Sequence, residues 1–451
     1  MPTLAQPSDR SAPVSPGTFG GAVRGAAGRI GHNLLGGSGR VVGADLARGI
    51  AVLGMFTAHV GITSADVGTL EGWLGLAHGR SSILFATVAG LSLALFTGGS
   101  EPVGGAALRT ARSRILVRAV LLLALVAVLD LLGTRVLLIL GFYAAYFVLA
   151  LPFLRMPPGR LAAAAVLVAV LGPFLVYYGP EALARAELRP PHDGSGAATD
   201  FLLTGHYPAL VWMAYVLAGL AVGRCDLRSP ALHLGLVAGG FGLAAVSSIA
   251  SAQLVADAGG AAAIEDRLAM TSAESVVPPP TWSDPWPPLA GLYLEGPHDD
   301  TMFEALGSGG FALGVLGLCL LVGAAVRGAA RTGADGTPAP ADAAPAGRFV
   351  RVLRGVLLVV VTPLAAVGAL ALTVYSVQIF TIWWWTRTYW DLLDPATNEP
   401  LGWMVLITLA VATAWRALFG RGPLERLFGW VARTAFPRVP DEPGPQGPLS
   451  P

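Results

Sequence analysis

The sequence predicts an all-α protein, a polytopic bundle of about ten transmembrane helices with both termini in the cytoplasm. The first observation behind this prediction is composition: 54% of the 451 residues are hydrophobic and 13% are charged, against about 25% charged in soluble domains. The second is a series of apolar stretches, each long enough to cross a hydrocarbon core about 30 Å thick. The third is a regular alternation of arginine between successive loops.

The apolar stretches define the predicted spans in chain order. They cover residues 41–61, 80–98, 115–133, 135–154, 160–178, 206–224, 231–256, 304–327, 357–386 and 401–420. Only a short polar interval that includes Asp130 and Arg135 separates the third stretch from the fourth, and Pro363 interrupts the ninth. We expect each stretch to form one transmembrane helix.

The arginines orient these spans. Every one of the 29 basic residues is Arg, and the loops that contain an excess of them should face the cytoplasm. Those loops carry Arg109, Arg112, Arg114, Arg118, Arg155, Arg160, Arg224, Arg228, Arg327, Arg331, Arg348, Arg351 and Arg354. The opposite loops hold most of the acids, among them Asp66, Glu71, Glu265, Asp266, Asp284, Asp299 and Asp300. The alternation predicts an even number of spans.

The other segments complete the predicted organisation. Residues 1–38 are rich in Gly, Ser, Pro and Ala, which predicts a disordered cytoplasmic tail and no cleavable signal peptide. Residues 39–327 form a membrane domain of eight helices, and 328–348 form a flexible cytoplasmic linker. A C-terminal helix pair at 349–430 and a second disordered tail at 431–451 follow.

Two of the loops predicted on the outside are long. They run from Gly179 to Gly205 and from Ala258 to Phe303. The second contains three consecutive prolines at 278–280 together with Trp282 and Trp286. Because disordered segments are poor in aromatic residues, we expect this loop to be an ordered lid against the mouth of the bundle.

Composition also excludes several functions. The formal net charge of +1 argues against a nucleic-acid partner, which would require a strong basic excess. The only two cysteines, Cys225 and Cys319, lie beside or within apolar helices. Neither a disulfide framework nor a metal cluster is therefore expected.

Three ionisable side chains lie in the first predicted span. Asp45 and Arg48 share one helix face and can pair, and His59 lies about 21 Å beyond Asp45 along the axis. An ionisable group at the centre of a membrane helix costs roughly 2.5–3.5 kcal/mol. The pair therefore either orients the helix at the cytoplasmic boundary or offers Arg48 to an anionic ligand. His59 is either bonded to a neighbouring carbonyl or a general base in the outer third of the membrane.

Further polar residues are predicted at the outer ends of other spans. They open the second, sixth and eighth spans: His78, Arg80, His206, Tyr207, His298, Asp299 and Glu304. With His59 and His192 they place most of the seven histidines near one surface. The alternatives are helix caps at the membrane boundary and a site for a polar or anionic ligand. No metal site is expected, because no His-x-x-x-His spacing or similar ligand pattern occurs.

The ninth span carries polar groups at membrane depth. Thr373, Tyr375 and Gln378 are typical of hydrogen bonds between helices, and the tryptophans at 383–385 resemble an outer interfacial belt. We count Tyr375 and Gln378 among the candidate binding residues.

Several motifs are specific enough to compare with a known group of proteins. They are Asp-Leu-Ala-Arg-Gly-Ile-Ala-Val-Leu-Gly-Met-Phe (45–56), the segments 79–93 and 207–224, Ala-Leu-Thr-Val-Tyr (371–375) and Arg-Gly-Pro-Leu-Glu-Arg-Leu (421–427). They resemble the motifs of bacterial membrane proteins of the DUF418/YeiB-like family, which is related to the heparan-α-glucosaminide N-acetyltransferase-like (DUF1624) domain. The resemblance spans roughly residues 40 to 430.

The resemblance implies a multi-pass protein of the bacterial inner (plasma) membrane, with the lipid bilayer as its surroundings. It implies transfer of an acyl group from cytoplasmic acyl-CoA to an extracytoplasmic acceptor, either a sugar or an envelope glycan, without a permanently bound cofactor. In the acetyltransferase relatives a histidine in the outer loop after the first helix is reactive. The corresponding position here falls near Thr69, and the histidines available nearby are His59 and His78.

Three functional hypotheses follow. In the first, the protein is a transmembrane acyltransferase in which Arg48 recruits the donor and His59 or His78 activates the acceptor. In the second, it is a small-molecule transporter, which discontinuous helices and inverted repeats would favour. In the third, it is a non-catalytic membrane assembly protein whose charged residues only hold the helices together.

Overall fold

A computed structural model of the chain describes residues 31, 33–34, 40–64, 66–188, 196–271, 281–334, 346–389 and 395–437. The secondary structure of these residues is helical, with no strand among them, which confirms the predicted all-α class. His192, the prolines at 278–280, most of both predicted tails and residues 335–345 of the predicted linker lie outside the described residues.

The longer helices follow the apolar stretches in order. They are α1 (Val42–Val60), α2 (Arg80–Phe96), α3 (Gly105–Asp130), α4 (Ile139–Ala150), α5 (Pro158–Arg185), α6 (Ala209–Gly223), α7 (Pro230–Asp257), α8 (Ala261–Thr271), α9 (Met302–Ala334), α10 (Ala346–Ala369), α11 (Ala371–Thr388), α12 (Glu399–Phe419) and α13 (Pro423–Ala435). Shorter helical segments lie at Leu70–Gly75, Leu151–Arg155, Ala197–Thr199, Asp200–Thr204 and Leu289–Tyr293.

The described helices are those of a multi-pass membrane protein. Five are long and apolar enough to cross a bilayer, and a sixth span is added if the bent pair α10–α11 counts as one. The five are Leu70–Phe96, Pro158–Arg185, Pro230–Asp257, Met302–Val326 and Glu399–Phe419. Helices α1 and α3 contain charged side chains, and α4 and α6 are short. The count of about ten spans and the cytoplasmic placement of the termini therefore stay predictions.

Helix α1 is the hub of the bundle. It packs against α2, α9, α10, α11 and α12, and its Ala47, Ala51, Val52 and Phe56 are buried. Elsewhere in the bundle, α6 packs between α2 and α5, and α7 packs along α9. The charged residues of α1 therefore lie among other helices instead of facing lipid.

The ninth predicted span is broken into two helices. The axes of α10 and α11 differ by 80°, and the break lies at Leu370, whereas Pro363 is accommodated inside α10. Close backbone contact fixes the break against α1, since a Cβ atom on Gly368 would lie 1.8 Å from the carbonyl oxygen of Asp45. Tertiary contacts rather than proline therefore set the position of the bend.

Part of each predicted tail belongs to the described structure. The Asn33 side chain donates a hydrogen bond to the carbonyl of Ala417 in α12 (2.9 Å). At the other end, α13 continues to Ala435. The beginning of the membrane domain and the C-terminal helices therefore contact each other directly.

Candidate functional site

Arg48 joins α1 to two other parts of the bundle. Its guanidinium donates to the carboxylate of Asp45 (3.1 Å), to the carbonyl of Gly368 (3.1 Å) and to the hydroxyl of Ser92 in α2 (2.6 Å). Asp45 also accepts a hydrogen bond from Arg40. The pair that the three-residue spacing predicts is thus present, and Arg48 in addition reaches the broken helix.

Glu425, at the start of α13, holds the other side of the break. Its carboxylate accepts hydrogen bonds from the backbone amides of Leu372 (2.9 Å) and Thr373 (3.1 Å) and from the Thr373 hydroxyl (2.6 Å). These two amides belong to the first turn of α11 and lack partners within that helix. Glu425 therefore acts as an N-cap supplied from a distant part of the chain.

The two ends of the broken helix thus meet side chains of opposite charge. A cation favours the C-terminal end of a helix and an anion the N-terminal end, because the peptide dipoles align along the axis. Arg48 stands at the end of α10 and Glu425 at the start of α11. The break is consequently a supported feature of the fold and can line a cavity.

A cavity of about 330 Å³ lies beside this break. Its walls come from α1, α2, α3, α4, the two ends of the break and α13, and most of its lining is apolar. It extends along α2 from Phe96 to Phe85, about 16 Å at 1.5 Å per residue. The polar groups along it are Arg48, Ser92, Arg118, Tyr143, Tyr375 and Glu425.

Tyrosines close the Phe85 end of the cavity. The ring of Tyr143 contacts Phe85 and Tyr146, and its hydroxyl donates to the carbonyl of Ser82 (3.3 Å). The Tyr146 hydroxyl donates in turn to the carbonyl of Tyr207 (2.7 Å). Tyr143, Tyr207 and Tyr375 are close enough to interact electrostatically. We call these three residues the tyrosine layer.

Histidines lie on the other side of the tyrosine layer. The rings of His206 and His298 are 4.5 Å apart, and Tyr207 contacts both. The carboxylate of Glu304 accepts hydrogen bonds from the backbone amides of His298 and Asp300 (both 2.8 Å). The structure therefore brings together residues that the sequence places at the starts of two different spans.

The loop that carries His298 is strained. His298 and Asp300 have φ angles of 67° and 51°, in the left-handed region that non-glycine residues rarely adopt. The Glu304 hydrogen bonds and a hydrogen bond from the Trp212 indole to Asp300 (3.0 Å) hold this conformation. Such strain is typical of functional sites.

The remaining predicted residues surround this centre. His59 Nδ1 lies 3.0 Å from the side-chain amide of Gln378 on α11. His78 is exposed and close enough to His59 and His298 to interact electrostatically with both. Arg80 stacks over Phe311 with 5.2 Å from its guanidinium carbon to the ring centre. His59, His78, His206 and His298 therefore form one histidine cluster, and Arg80 contacts Phe311 instead.

Burial changes the acid–base properties of the loop. It lowers the pKa of His298 to about 4, and the positive charges that His206 and His78 can carry lower it further. Burial and the neighbouring Glu304 carboxylate raise the pKa of Asp300 well above its usual range. His298 is therefore neutral at physiological pH and can accept a proton.

His298 should make folding stability depend on pH. Its pKa falls from 6.5 to about 4 on folding, so the unfolded protein binds a proton more readily than the folded protein. The stability that the neutral His298 contributes is therefore complete above pH 6.5 and is lost as the pH falls toward 4. We expect the stability advantage of the wild type over His298→Gln to shrink by at most about 1.4 kcal/mol per pH unit in this window. Thermal unfolding of both proteins at pH 7, 6 and 5 measures it. The contribution of Asp300 to folding stability changes with pH in the opposite direction, but it is the same in both proteins. An unchanged difference in stability between the two proteins would contradict the prediction.

Removal of the Glu425 carboxylate should destabilise the protein. Glu425→Ala leaves two amides of α11 without their partner, at a cost of about 1–3 kcal/mol, while Glu425→Gln keeps an acceptor and should cost less. Unfolding midpoints of the purified variants measure this. Glu399→Ala serves as the control, because Glu399 lies in the first turn of α12 and its carboxylate bonds only to the Trp403 indole among the described residues. Equal midpoints for Glu425→Ala and Glu399→Ala would rule out the cap.

Sequence reasoning missed several residues of this site. Ser92, Arg118, Asp300 and Glu425 all contact its centre. Two of them had a visible signal, since Ser92 lies in the motif at 79–93 and Glu425 lies in the Arg-Gly-Pro-Leu-Glu-Arg-Leu motif. Among the described residues no group of His, Cys, Asp and Glu has the geometry of a metal site.

Part of the chain is similar to a known protein family. Residues 40–240 match the family model described as "Heparan-alpha-glucosaminide N-acetyltransferase, catalytic", which confirms the predicted resemblance to that domain over these residues. Neither a curated protein nor a solved structure matches the chain. The match covers α1 to α6 and the start of α7, so His298, Gln378 and Glu425 lie beyond it.

Proposed function

We propose that the protein is a transmembrane acyltransferase. It takes an acyl group from cytoplasmic acyl-CoA and transfers it to an acceptor on the far side of the bacterial plasma membrane, where a sugar or an envelope glycan is the expected acceptor. One observation carries this proposal: an apolar cavity leads from Arg48 and Arg118 to a tyrosine layer, and the histidine cluster lies behind that layer. The family match over residues 40–240 supports the same activity.

The cavity suits the thioester arm of the donor. An apolar protein cavity of about 150 Å³ holds one benzene molecule, so a cavity of about 330 Å³ accommodates a chain on the order of a dozen non-hydrogen atoms. Arg48, Ser92 and Glu425 offer polar partners along the way. An arm that enters at Arg118 would bring its thioester toward Tyr143 and Tyr375.

The histidine cluster suits the acceptor. A hydroxyl or amine of the acceptor attacks the thioester carbon, the new C–O or C–N bond forms, the C–S bond breaks and CoA departs as the thiolate. A base must take the proton that the acceptor loses. His59 and His78 are the candidates from the sequence, and His298 joins them because its Nδ1 is buried without a hydrogen-bond partner among the described residues.

The contact with Gln378 limits the role of His59. If the amide nitrogen of Gln378 donates to His59 Nδ1, then Nε2 carries the proton and cannot act as a base. If the amide oxygen accepts from Nδ1–H, then Nε2 is the basic atom. A catalytic His59 therefore requires the second orientation of the Gln378 side chain.

Acetyl-CoA binding and transfer test the proposal together. The protein in nanodiscs should bind acetyl-CoA, and proteoliposomes supplied with labelled acetyl-CoA should acetylate glucosamine or a glycan acceptor on the opposite side. Failure to bind at millimolar acetyl-CoA would exclude the acyltransferase.

A transporter is the second candidate, and the broken pair α10–α11 favours it, because discontinuous helices commonly form transport sites. Flux of a small solute through proteoliposomes in the absence of any acyl donor would support transport. Absence of both donor binding and flux would instead favour an assembly protein.

A further inference from the structure

We propose that Arg114, Arg118, Arg421 and Arg433 form the binding site for the phosphate groups of the acyl-CoA donor. The proposal rests on the proposed acyltransferase function and deepens it. It means that α13, which lies outside the family match, completes the donor site. We call these four residues the arginine cluster.

The first half of the arginine cluster comes from α3. Arg118 lines the cavity, and its guanidinium stacks on the ring of Phe96 with 4.4 Å to the ring centre. Arg114 lies one turn earlier and donates a hydrogen bond to the carbonyl of Phe436, at the end of α13 (2.9 Å). Both arginines therefore lie where α3 meets α13 at the Phe96 end of the cavity.

The second half comes from the C-terminal part of the chain. Gly429 of α13 lines the cavity, and the Arg433 guanidinium lies over it, 3.1 Å from the place that a Cβ atom on Gly429 would occupy. Arg421 precedes α13, and both it and Arg433 are exposed. Arg118 interacts electrostatically with Arg114, Arg421 and Arg433. A soluble ligand can thus reach the cluster and the cavity from the same side.

Three of the four cations have no ion pair with an acid among the described residues. Within the described residues, Arg118, Arg421 and Arg433 form no ion pair with a carboxylate. Among the described residues, Glu425 is the only acid that lines the cavity, and its carboxylate is bonded to the first turn of α11. Like charges held close together are unfavourable, and a bound phosphate relieves the repulsion through charge-assisted hydrogen bonds.

The position of the cluster favours a ligand with a chain attached to its phosphates. An anion bound to Arg118 and Arg433 lies beside the apolar cavity, because Arg118 and Gly429 line the cavity and Arg433 lies over Gly429. Both acyl-CoA and a phospholipid combine phosphate with such a chain. The polar partners along the cavity, Arg48 and Ser92, favour the amide-containing arm of acyl-CoA over a hydrocarbon tail.

Binding of two donors, one with and one without the phosphate-bearing nucleotide of CoA, tests the proposal. Full-length protein in nanodiscs of zwitterionic lipid is titrated with acetyl-CoA and with S-acetyl-pantetheine, which has no phosphate. We expect Arg118→Gln and Arg433→Gln each to weaken acetyl-CoA binding five- to fiftyfold and to leave S-acetyl-pantetheine binding unchanged. Added salt should weaken acetyl-CoA binding to the wild type more than to the variants. Arg387→Gln is the control, because Arg387 stacks on Trp383 in α11.

Each outcome is distinguishable from failure of the proposed function. If the wild type binds acetyl-CoA and both variants bind it equally well, the arginine cluster is not the phosphate site, although the acyltransferase stands. If the wild type does not bind acetyl-CoA at all, the acyltransferase itself fails. If native mass spectrometry shows a phospholipid bound to the wild type and lost from the variants while acetyl-CoA affinity is unchanged, the cluster is a lipid site and the proposal is overturned. Unfolding midpoints confirm that the variants fold.

Discussion

Replacement of Arg48 by alanine should lower the affinity for acetyl-CoA by at least tenfold. The substitution removes three hydrogen bonds, two of which join α1 to α2 and to the broken helix. It also removes one of the few polar groups that line the cavity. Hydrogen bonds to charged groups contribute about 1.5–3 kcal/mol, and 1.4 kcal/mol corresponds to a factor of ten in the dissociation constant. Titration of the protein in nanodiscs measures the loss.

Two further variants separate a binding role of Arg48 from a structural one. Arg48→Lys keeps the charge but not the forked geometry, and should retain the fold while weakening acetyl-CoA binding. Ser92→Ala removes one partner of Arg48 and should have a smaller effect. If Arg48→Ala loses stability, whereas Arg48→Lys binds acetyl-CoA like the wild type, Arg48 only supports the break between α10 and α11.

The sequence predicted the features that depend on local spacing. Asp45 and Arg48 lie three residues apart on one helix, and they do pair. His78, His206 and His298 were placed near one surface because each opens a predicted span, and His206 and His298 are in contact. The helical class followed from apolar stretches whose positions the helices largely reproduce.

Features that depend on distant contacts could not be read from the sequence. The ninth stretch is continuous in hydropathy, and its break depends on Glu425, which contacts Leu372 from another helix. Arg118 and Arg433 are equally distant in the chain, and only the packing of α3 against α13 brings them to one cavity. Local periodicity contains no information about either contact.

The number of transmembrane spans is hard to predict from hydropathy for a different reason. Hydropathy alone counts each apolar stretch as one crossing, but Ile139–Arg155 and Ala209–Gly223 are short apolar helices. Helix α6 is enclosed by α2 and α5 and is almost entirely buried. An apolar stretch in such a protein can therefore be a buried core helix as well as a lipid-facing span.

His298→Gln should reduce acyl transfer at least a hundredfold while acetyl-CoA binding persists. A general base contributes about 100- to 10,000-fold to a rate, and His298 lies against the tyrosine layer through Tyr207 with a buried Nδ1 that no described residue satisfies. We therefore expect a larger loss for His298→Gln than for His59→Gln or His78→Gln. The initial rate of transfer from labelled acetyl-CoA measures each loss.

The pH dependence of transfer identifies the base independently. With its pKa lowered to about 4 by burial, His298 stays unprotonated down to pH 5.5, and the rate should be flat between pH 5.5 and 7.5. A histidine with the ordinary pKa near 6.5 would lose about nine-tenths of its basic form at pH 5.5. A tenfold fall in rate over this range would contradict the assignment of the base to His298. A larger loss of rate in His59→Gln than in His298→Gln would assign the base to His59 instead. In that case His298 would serve only to shape the acceptor side of the tyrosine layer.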